Sequence, residues 1–549
     1  MASLFVGLDV GTGSARAGLF TADGTLIAVA KRPIETWREA GDIVEQSSED
    51  IWQACASALR AALAEAAAKP EDVGGIGFDA TCSLVVVDED GAPLSVSPSS
   101  EARRNVIVWM DHRAVGEARR IDETGDDVLR YVGGSISPEM EMPKLLWLKT
   151  HLAKTFAGAG NFFDLADFLS WRATGSTIRS TCTVTCKWSY LAHEGGWSDG
   201  FLDRIGLADL AAQSHRRIGR QVVPPGTALG AGLTAEAARD FGLLPGTPVG
   251  AGLIDAHAGG LGTLGGRTAD GARADPTRRL GYIMGTSACI MATTREPTFV
   301  PGVWGPYYSA MVPGLWLNEG GQSTAGAAID HLVRSHAAYA QAAADAKAAG
   351  RTLLDHLEDR IAGRGRPLSE AAYLARDRHV LPDFLGNRSP FADPDVRGVI
   401  AGLALDDTVE DLERHFVAGL CGLAYGLAEV VDALGAKGIS AESIVASGGA
   451  SHSRLVRQIL ADATGVPVVL PETSEPVLLG AAMLATVAAG QHATTVEAML
   501  AMARDGISTE PTPADVAAFH GNKRTVHTLL RRLAGEARSA MGAASEPGH

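Results

Sequence analysis

Apolar runs alternate with short polar turns along most of this chain, and many of the turns contain glycine. Leu4 to Leu8 is an apolar run that ends in Asp9 and a small-residue turn, Gly11-Thr12-Gly13-Ser14. Arg16 to Phe20 leaves that turn, and Ala22-Asp23-Gly24 leads into a third run, Leu26 to Ala30. Three short runs joined by tight turns predict an antiparallel meander. Ser47-Ser48-Glu49-Asp50 marks a helix start, and Ile51, Trp52, Cys55, Leu59, Leu63 and Ala67 follow at helical spacing. Strand-like runs come next at Val73 to Phe78, at Ser83 to Asp88 and over 105–113. Between 114 and 240 helical and loop segments alternate. The pattern there predicts a helix from Lys144 to Thr155, and the β-branched run Thr181 to Lys187 predicts an extended segment.

The pattern then starts again. Pro248 to Ile254 is a strand ending in Asp255, and a glycine-rich stretch, Gly259 to Gly266, precedes a polar connector, Arg267 to Arg279. Leu280 to Thr286, Ala288 to Thr293 and Tyr307 to Asn318 repeat the three-strand motif, with a helix from Gln322. Residues 335–370, rich in alanine and charge, read as a helical insertion. A helix at Leu405 to Leu434, a strand at Ser443 to Ala446, a helix at Ser451 to Ala463, a strand at Val466 to Leu470 and a helix at Pro476 to Ala489 complete the unit. Both halves thus run βββ-α-β-α-β, which predicts two similar α/β domains facing each other across a cleft. The expected division is 1–266 and 267–535, with 536–549 a small, polar, disordered tail.

Length supports that division, because 549 residues are too many for one hydrophobic core. The formal net charge of −16, with no cluster of Lys and Arg, excludes general nucleic-acid binding. Phosphates would have to be held locally, by backbone amides and a metal ion. Val417 to Leu434 is strongly apolar but interrupted by Glu429 and Asp432, so it reads as a buried helix and not a membrane span. The six cysteines are scattered. Cys182-x-x-x-Cys186 followed by a lone His193 completes no metal ligand set, and reduced thiols are expected. With no leader ahead of the first strand, the expectation is a cytoplasmic enzyme.

The candidate chemistry lies in the turns. Gly11-Thr12-Gly13-Ser14 and Gly285-Thr286-Ser287 each follow the first strand of a domain and expose backbone N–H groups that can cradle phosphate. Gly448-Gly449-Ala450-Ser451 lies between a strand and a helix, a place suited to a nucleoside. Asp9 beside the first turn is placed to hold Mg²⁺. Asp255, at a strand end in a glycine-flanked turn, is the best candidate for the base that takes a hydroxyl proton. No Walker-type phosphate loop is present.

These elements together resemble the FGGY family of carbohydrate kinases, within the ATPase superfamily that includes actin, hexokinase and the heat-shock chaperones. The resemblance covers about residues 3–495 and is carried by Leu8-Asp9-Val-Gly-Thr12, Val108-Trp109-Met-Asp111-His-Arg113, Gly252-Leu-Ile-Asp255, Met284-Gly285-Thr286-Ser287, Glu319-Gly-Gly-Gln322, the Gly386–Arg397 segment and Gly448-Gly449-Ala450. It implies two facing RNase H-like domains, ATP with Mg²⁺, phosphorylation of a sugar and Asp255 as catalytic residue. It extends the nucleotide set to Arg16, Gly326, Asp330 and Ser453, and gives Asp9 and Asp255 as metal ligands. The glycerol-kinase Arg-Glu pair is replaced by Thr81-Cys82, and the Thr81-Cys82-Ser83-Leu84-Val85 segment resembles the D-ribulokinase branch. Lys187 and Glu319 resemble ribulokinase sugar-binding residues, with Trp109 and Asp111 beside them. The implied reaction is conversion of D-ribulose to D-ribulose 5-phosphate. L-ribulose, ribitol or another pentulose or polyol stays open, as does a homodimer. A non-catalytic sugar or nucleotide sensor is the rival from another class.

Overall fold

The computed structural model describes residues 3–39 and 43–542. In the first half, β1 (Leu4–Gly11), β2 (Ser14–Phe20) and β3 (Leu26–Pro33) form the antiparallel meander, followed by α1 (Ser48–Glu65) and β4 (Val73–Ala80). Later come α2 (Thr181–Lys187), β5 (Val249–Ile254) and α3 (Asp255–Leu264). The sheet order is β5-β4-β1-β2-β3, with β4 and β5 parallel to β1. Phe5 to Val10 are all buried, as the unbroken apolar run requires of a strand covered on both faces. A smaller sheet is built from Trp37–Glu39, Ile43–Gln46, Val106–Ile107, Leu84–Val87 and Asn161–Asp164.

The second half repeats the plan with β6 (Arg279–Met284), β7 (Ala288–Thr294), β8 (Trp304–Tyr308), β9 (Trp316–Gln322), α4 (Val409–Gly435), β10 (Ser443–Ser447), β11 (Val468–Pro471), α5 (Pro476–Ala488), β12 (Asp505–Thr509) and α6 (Asp515–Gly542). Its sheet runs β8-β9-β7-β6-β10-β11-β12. Stripped of the edge strands β8 and β12, this is the same order and the same mix of parallel and antiparallel pairs as in the first half. The duplication is therefore one of topology. The stretch expected as a helical insertion contains helices Tyr339–Ala348 and Leu353–Ala362 and a 3₁₀ segment, Leu368–Ala375. Among the described residues only α4 is long and apolar enough to cross a membrane, and 78% of its most apolar window is buried in the protein.

Several sequence expectations change. Tyr307 to Asn318, expected as one strand, is the end of β8, a turn over 309–315 and the start of β9. Thr181 to Lys187 is helical, not extended. Ser180 Oγ accepts from the Cys182 N–H, and the Asp167 carboxylate accepts from the Ser180 N–H and the Thr183 hydroxyl. These local caps outweigh β-branched propensity. Of the run 105–113 only Val106–Ile107 is strand. Beyond it the chain is turned by the Asp111 carboxylate, which accepts from Val44 N–H and from the Arg113 backbone and guanidinium. The tail expected to be disordered after Gly535 continues α6 as far as Gly542. The helix is anchored earlier by the buried Lys523 ammonium, which donates to the carbonyls of Ala375 and Arg378, and beyond Gly535 by Arg538, which pairs with Asp393. Residues 543–549 lie outside the described residues.

Helices α3 and α5 pack against each other between the two sheets, and glycines set their separation. A Cβ on Gly480 would stand 2.0 Å from the Ala258 carbonyl oxygen, and one on Gly262 would stand 2.1 Å from that of Pro476. Gly7 and Gly77 let α5 lie equally close on the first sheet, against Leu478 and Ala481. Gly480→Ala must push the helices apart. A loss of about 1–3 kcal/mol, read as a lower urea midpoint, is expected. An unchanged midpoint would show that the contact is looser than described.

Candidate active site

Three apolar strands of the first sheet carry an aspartate at or next to their C-terminal ends. The parallel register sets Asp9 of β1 beside Asp79 of β4, and β5 delivers Asp255 as the first residue of α3. Neither Asp79 carboxylate oxygen accepts a hydrogen bond from a described residue, although Asp79 is fully buried. Burial, then the charge of Asp9, holds the Asp79 carboxyl well above the usual carboxylate range. The same two causes in the same order push Asp255 up to about 6. A hard divalent cation fits such a set, because it would meet the unpartnered oxygens and offset the mutual repulsion. Asp79 was not among the residues singled out from sequence. Its signal was available, since Phe78-Asp79 ends an apolar run as Leu8-Asp9 and Ile254-Asp255 do.

Asp9 is also gripped by Arg16, whose Nε lies 2.6 Å and Nη2 2.5 Å from Oδ2. The other arm of that guanidinium reaches Glu475, 2.7 Å away and just ahead of α5. Arg16 thereby ties the first hairpin to a helix from the second half of the chain.

The two glycine turns occupy equivalent places, between β1 and β2 and between β6 and β7. A Cβ on Gly11 would meet nothing closer than 3.9 Å, on Gly13 nothing within 4 Å, and on Gly285 nothing closer than 3.5 Å. Both turns therefore have open space where a side chain would stand. The first is braced from below, because Trp109 Nε1 donates to Thr12 Oγ1 at 3.0 Å and Gln46 Nε2 donates to the Thr12 carbonyl at 2.6 Å. Gly326 supports the second, donating its N–H to the Gly285 carbonyl at 3.0 Å. Gly448 has φ +90° and passes so close to Met284 that only glycine fits, while Gly449 faces open space and Ala450 is exposed. Ser453 caps the helix Arg454–Thr464, accepting from Val456 N–H, and Asp330 is exposed on the helix Gly326–Arg334.

A buried charged group faces the carboxylates. Lys187 ends α2, and its ammonium lies 3.9 Å from Glu319 Oε2 on β9 and 4.5 Å from the centre of the Trp304 ring. The β8–β9 register sets Trp304 opposite Glu319. Arg388 stands over the same ring and 3.7 Å from Glu139. His257, two residues beyond Asp255, places Nε2 3.2 Å from Glu319 Oε2. Burial alone would raise the Glu319 carboxyl, but Lys187, His257 and Arg388 together hold it down at about 2. Burial alone would lower the Lys187 ammonium, and the charge of Glu319 holds it well above its usual range. The ammonium makes no hydrogen bond to any described residue, so its three donors are available to a ligand.

Thr81 and Cys82 follow β4 and are buried, Thr81 bonded to the Ser83 hydroxyl at 3.1 Å and Cys82 within the apolar core. Asp111 has no capacity left for a substrate. Its two oxygens already accept four hydrogen bonds, which fills a carboxylate. It fixes the turn that carries Trp109. Besides Asp79, the residues missed from sequence are Glu139, His257, Trp304 and Glu475, all brought in by tertiary contact, while Arg388 belongs to the Gly386–Arg397 segment that carries the resemblance.

Residues 4–262 match the N-terminal domain, and residues 280–489 the C-terminal domain, of the FGGY family of carbohydrate kinases. The chain belongs to this family. It is 48% identical over 511 residues to an FGGY carbohydrate kinase domain-containing protein from Homo sapiens, with 91% of each chain covered. A Saccharomyces cerevisiae protein named D-ribulokinase is 36% identical, over 89% of this chain and 72% of its own length. The solved structure of xylulose kinase from Rhodospirillum rubrum superposes with a TM-score of 0.75 at 24% identity, covering 97% of this chain and 100% of that one. As an FGGY kinase the protein is a phosphotransferase with the actin/hexokinase-like ATPase fold, and it uses ATP to phosphorylate a sugar.

Proposed function

We propose that this kinase transfers the γ-phosphoryl group of ATP to the primary hydroxyl of a ketopentose, D-ribulose, giving D-ribulose 5-phosphate. The observation that carries the reading is the buried Lys187–Glu319 pair, held 3.9 Å apart beside Trp304, the ammonium making no hydrogen bond to a described residue and Glu319 keeping acceptor sites beyond its bond to His257. A charged donor and a charged acceptor so placed can fix several hydroxyls of an open-chain sugar. The Thr81-Cys82-Ser83-Leu84-Val85 segment and the relative named D-ribulokinase point to the same sugar. In this reading Asp255 accepts the proton of the attacking hydroxyl. The turns Gly11–Ser14 and Gly285–Ser287 bind the phosphates from either side through backbone N–H groups. Asp9, Asp79 and Asp255 would hold Mg²⁺, which when bound neutralises charge on the transferring phosphoryl group. Closing the two domains excludes water from that group. The cytoplasm, where thiols stay reduced, suits a chain whose six cysteines are all free.

The adenosine would lie against Gly449. Since a side chain there has open space on the protein side, Gly449→Val should fold normally and still obstruct the nucleotide. ATP affinity is expected to fall about 10-fold or more, roughly 1.4 kcal/mol, with sugar affinity in the absence of nucleotide unchanged. Calorimetric titration with each ligand checks this, and a loss confined to the sugar would reverse the assignment. Release of ADP that depends on added D-ribulose separates the enzyme from a non-catalytic sensor.

A further inference from the structure

His257 turns only one ring nitrogen toward the sugar-facing carboxylate. Its Nδ1 points the other way, 3.1 Å from Cys182 Sγ and 3.9 Å from Cys186 Sγ. The three atoms lie within 4.8 Å of one another, and all three residues are fully buried. The cysteines stand one turn apart on α2, so their side chains share a face. The Ile254 N–H donates to Cys182 Sγ at 3.4 Å, a contact that favours a thiolate. Glu319 accepts the proton on Nε2, so Nδ1 faces the sulfurs and its lone pair is free to bind a cation once the proton it shares with Cys182 is released. A carboxylate behind a ligating histidine is the usual support of a metal-bound imidazole. With metal–sulfur and metal–nitrogen bonds of ordinary length, tetrahedral geometry sets the S···N edge at about 3.6 Å. The two observed distances bracket it.

We propose that Cys182, Cys186 and His257 form a buried site for one thiophilic, closed-shell cation, Zn²⁺ or Cu⁺. Binding forms two metal–sulfur bonds and one metal–nitrogen bond and releases two protons to solvent, one from the Cys186 thiol and one shared by Cys182 and His257 Nδ1, with no change of oxidation state. Its place in the fold gives it a role. The cation would join α2, which ends in Lys187, to α3, which begins with Asp255, and so fix the sugar-anchoring ammonium relative to the proton acceptor. The sequence hides this site, because the third ligand lies 71 positions beyond Cys186.

The test uses the full-length protein, stripped with chelator under reductant, and needs neither sugar nor nucleotide. Titration with Co²⁺ should produce thiolate-to-cobalt charge-transfer bands and tetrahedral ligand-field bands that saturate at one equivalent per chain. Zn²⁺ should bleach them, and a parallel titration with Cu⁺ against a competing chelator distinguishes the two ions. Cys186→Ser should weaken binding at least 10-fold, and the Cys182→Ser/Cys186→Ser pair should abolish the bands. Metal loading should raise the melting temperature of the wild type and leave that of the double variant unchanged. The proposal is overturned if the wild type gives neither thiolate bands nor bound Cu⁺, or if the bands survive in the double variant. Either result would leave the kinase reading standing.

Discussion

Asp255→Asn should lower kcat by about 10²–10⁴-fold, the usual contribution of a positioned general base, while sugar Kd changes little. The substitution is nearly isosteric and keeps the carbonyl oxygen that can accept from the Ala256 N–H. A pH profile gives a second readout. A base held at about 6 is ionised above that pH, so kcat/KM should fall tenfold per unit below it. A bound dication would draw that limb to lower pH, and the limb should vanish in the Asn variant. The stability effect has the opposite sign. The folded-state value lies above the ~3.9 of an unfolded aspartate, so ionising Asp255 costs the folded protein stability as pH rises through that window. At neutral pH without metal the Asn variant should therefore be at least as stable as the wild type, by up to about 2–3 kcal/mol. A variant that is stable, binds sugar and turns over near the wild-type rate would remove Asp255 from the chemistry.

Glu319→Ala is the second large effect, and it divides into two parts. Loss of a charge-assisted hydrogen bond to the sugar should lower kcat/KM about 30-fold, roughly 2 kcal/mol. Stability should fall by about 3–5 kcal/mol, because Lys187 is left buried without its counter-charge. The double change Lys187→Met/Glu319→Leu separates the parts. Replacing the whole pair with apolar side chains of similar size should recover most of the stability and none of the activity. If activity returned with stability, the pair would be structural and the sugar would be bound elsewhere.

Much of this architecture was legible because it is written in local pattern. Apolar runs of strand length, glycine turns and carboxylates at strand ends disclosed the duplicated topology, the two equivalent glycine turns and two of the three neighbouring aspartates. Thr181 to Lys187 misled because propensity is a weak force beside three capping bonds from Ser180 and Asp167. Asp111 misled in another way. A polar residue at the end of an apolar run looks available, and only the fold shows Val44 and Arg113 filling every lone pair. Trp304 and Glu139 were beyond reach because nothing in their neighbourhoods marks them, and Arg388 and His257 lie in marked segments that give no hint of their partners. Each acquires its place through a partner distant in the chain, as when the β8–β9 register sets Trp304 across from Glu319.

The central claim is that the pocket around Lys187, Glu319 and Trp304 is matched to a ketopentose. A site built to hydrogen-bond hydroxyls rejects analogues that lack or misplace them, because its own buried groups are left unpaired. The direct measurement is kcat/KM with MgATP across D-ribulose, L-ribulose, D-xylulose, ribitol and glycerol. The account predicts the highest value for D-ribulose, a clearly lower one for D-xylulose, inverted at one carbon, and a very low one for glycerol, too short to reach all the partners. A panel led by D-xylulose or glycerol would contradict it.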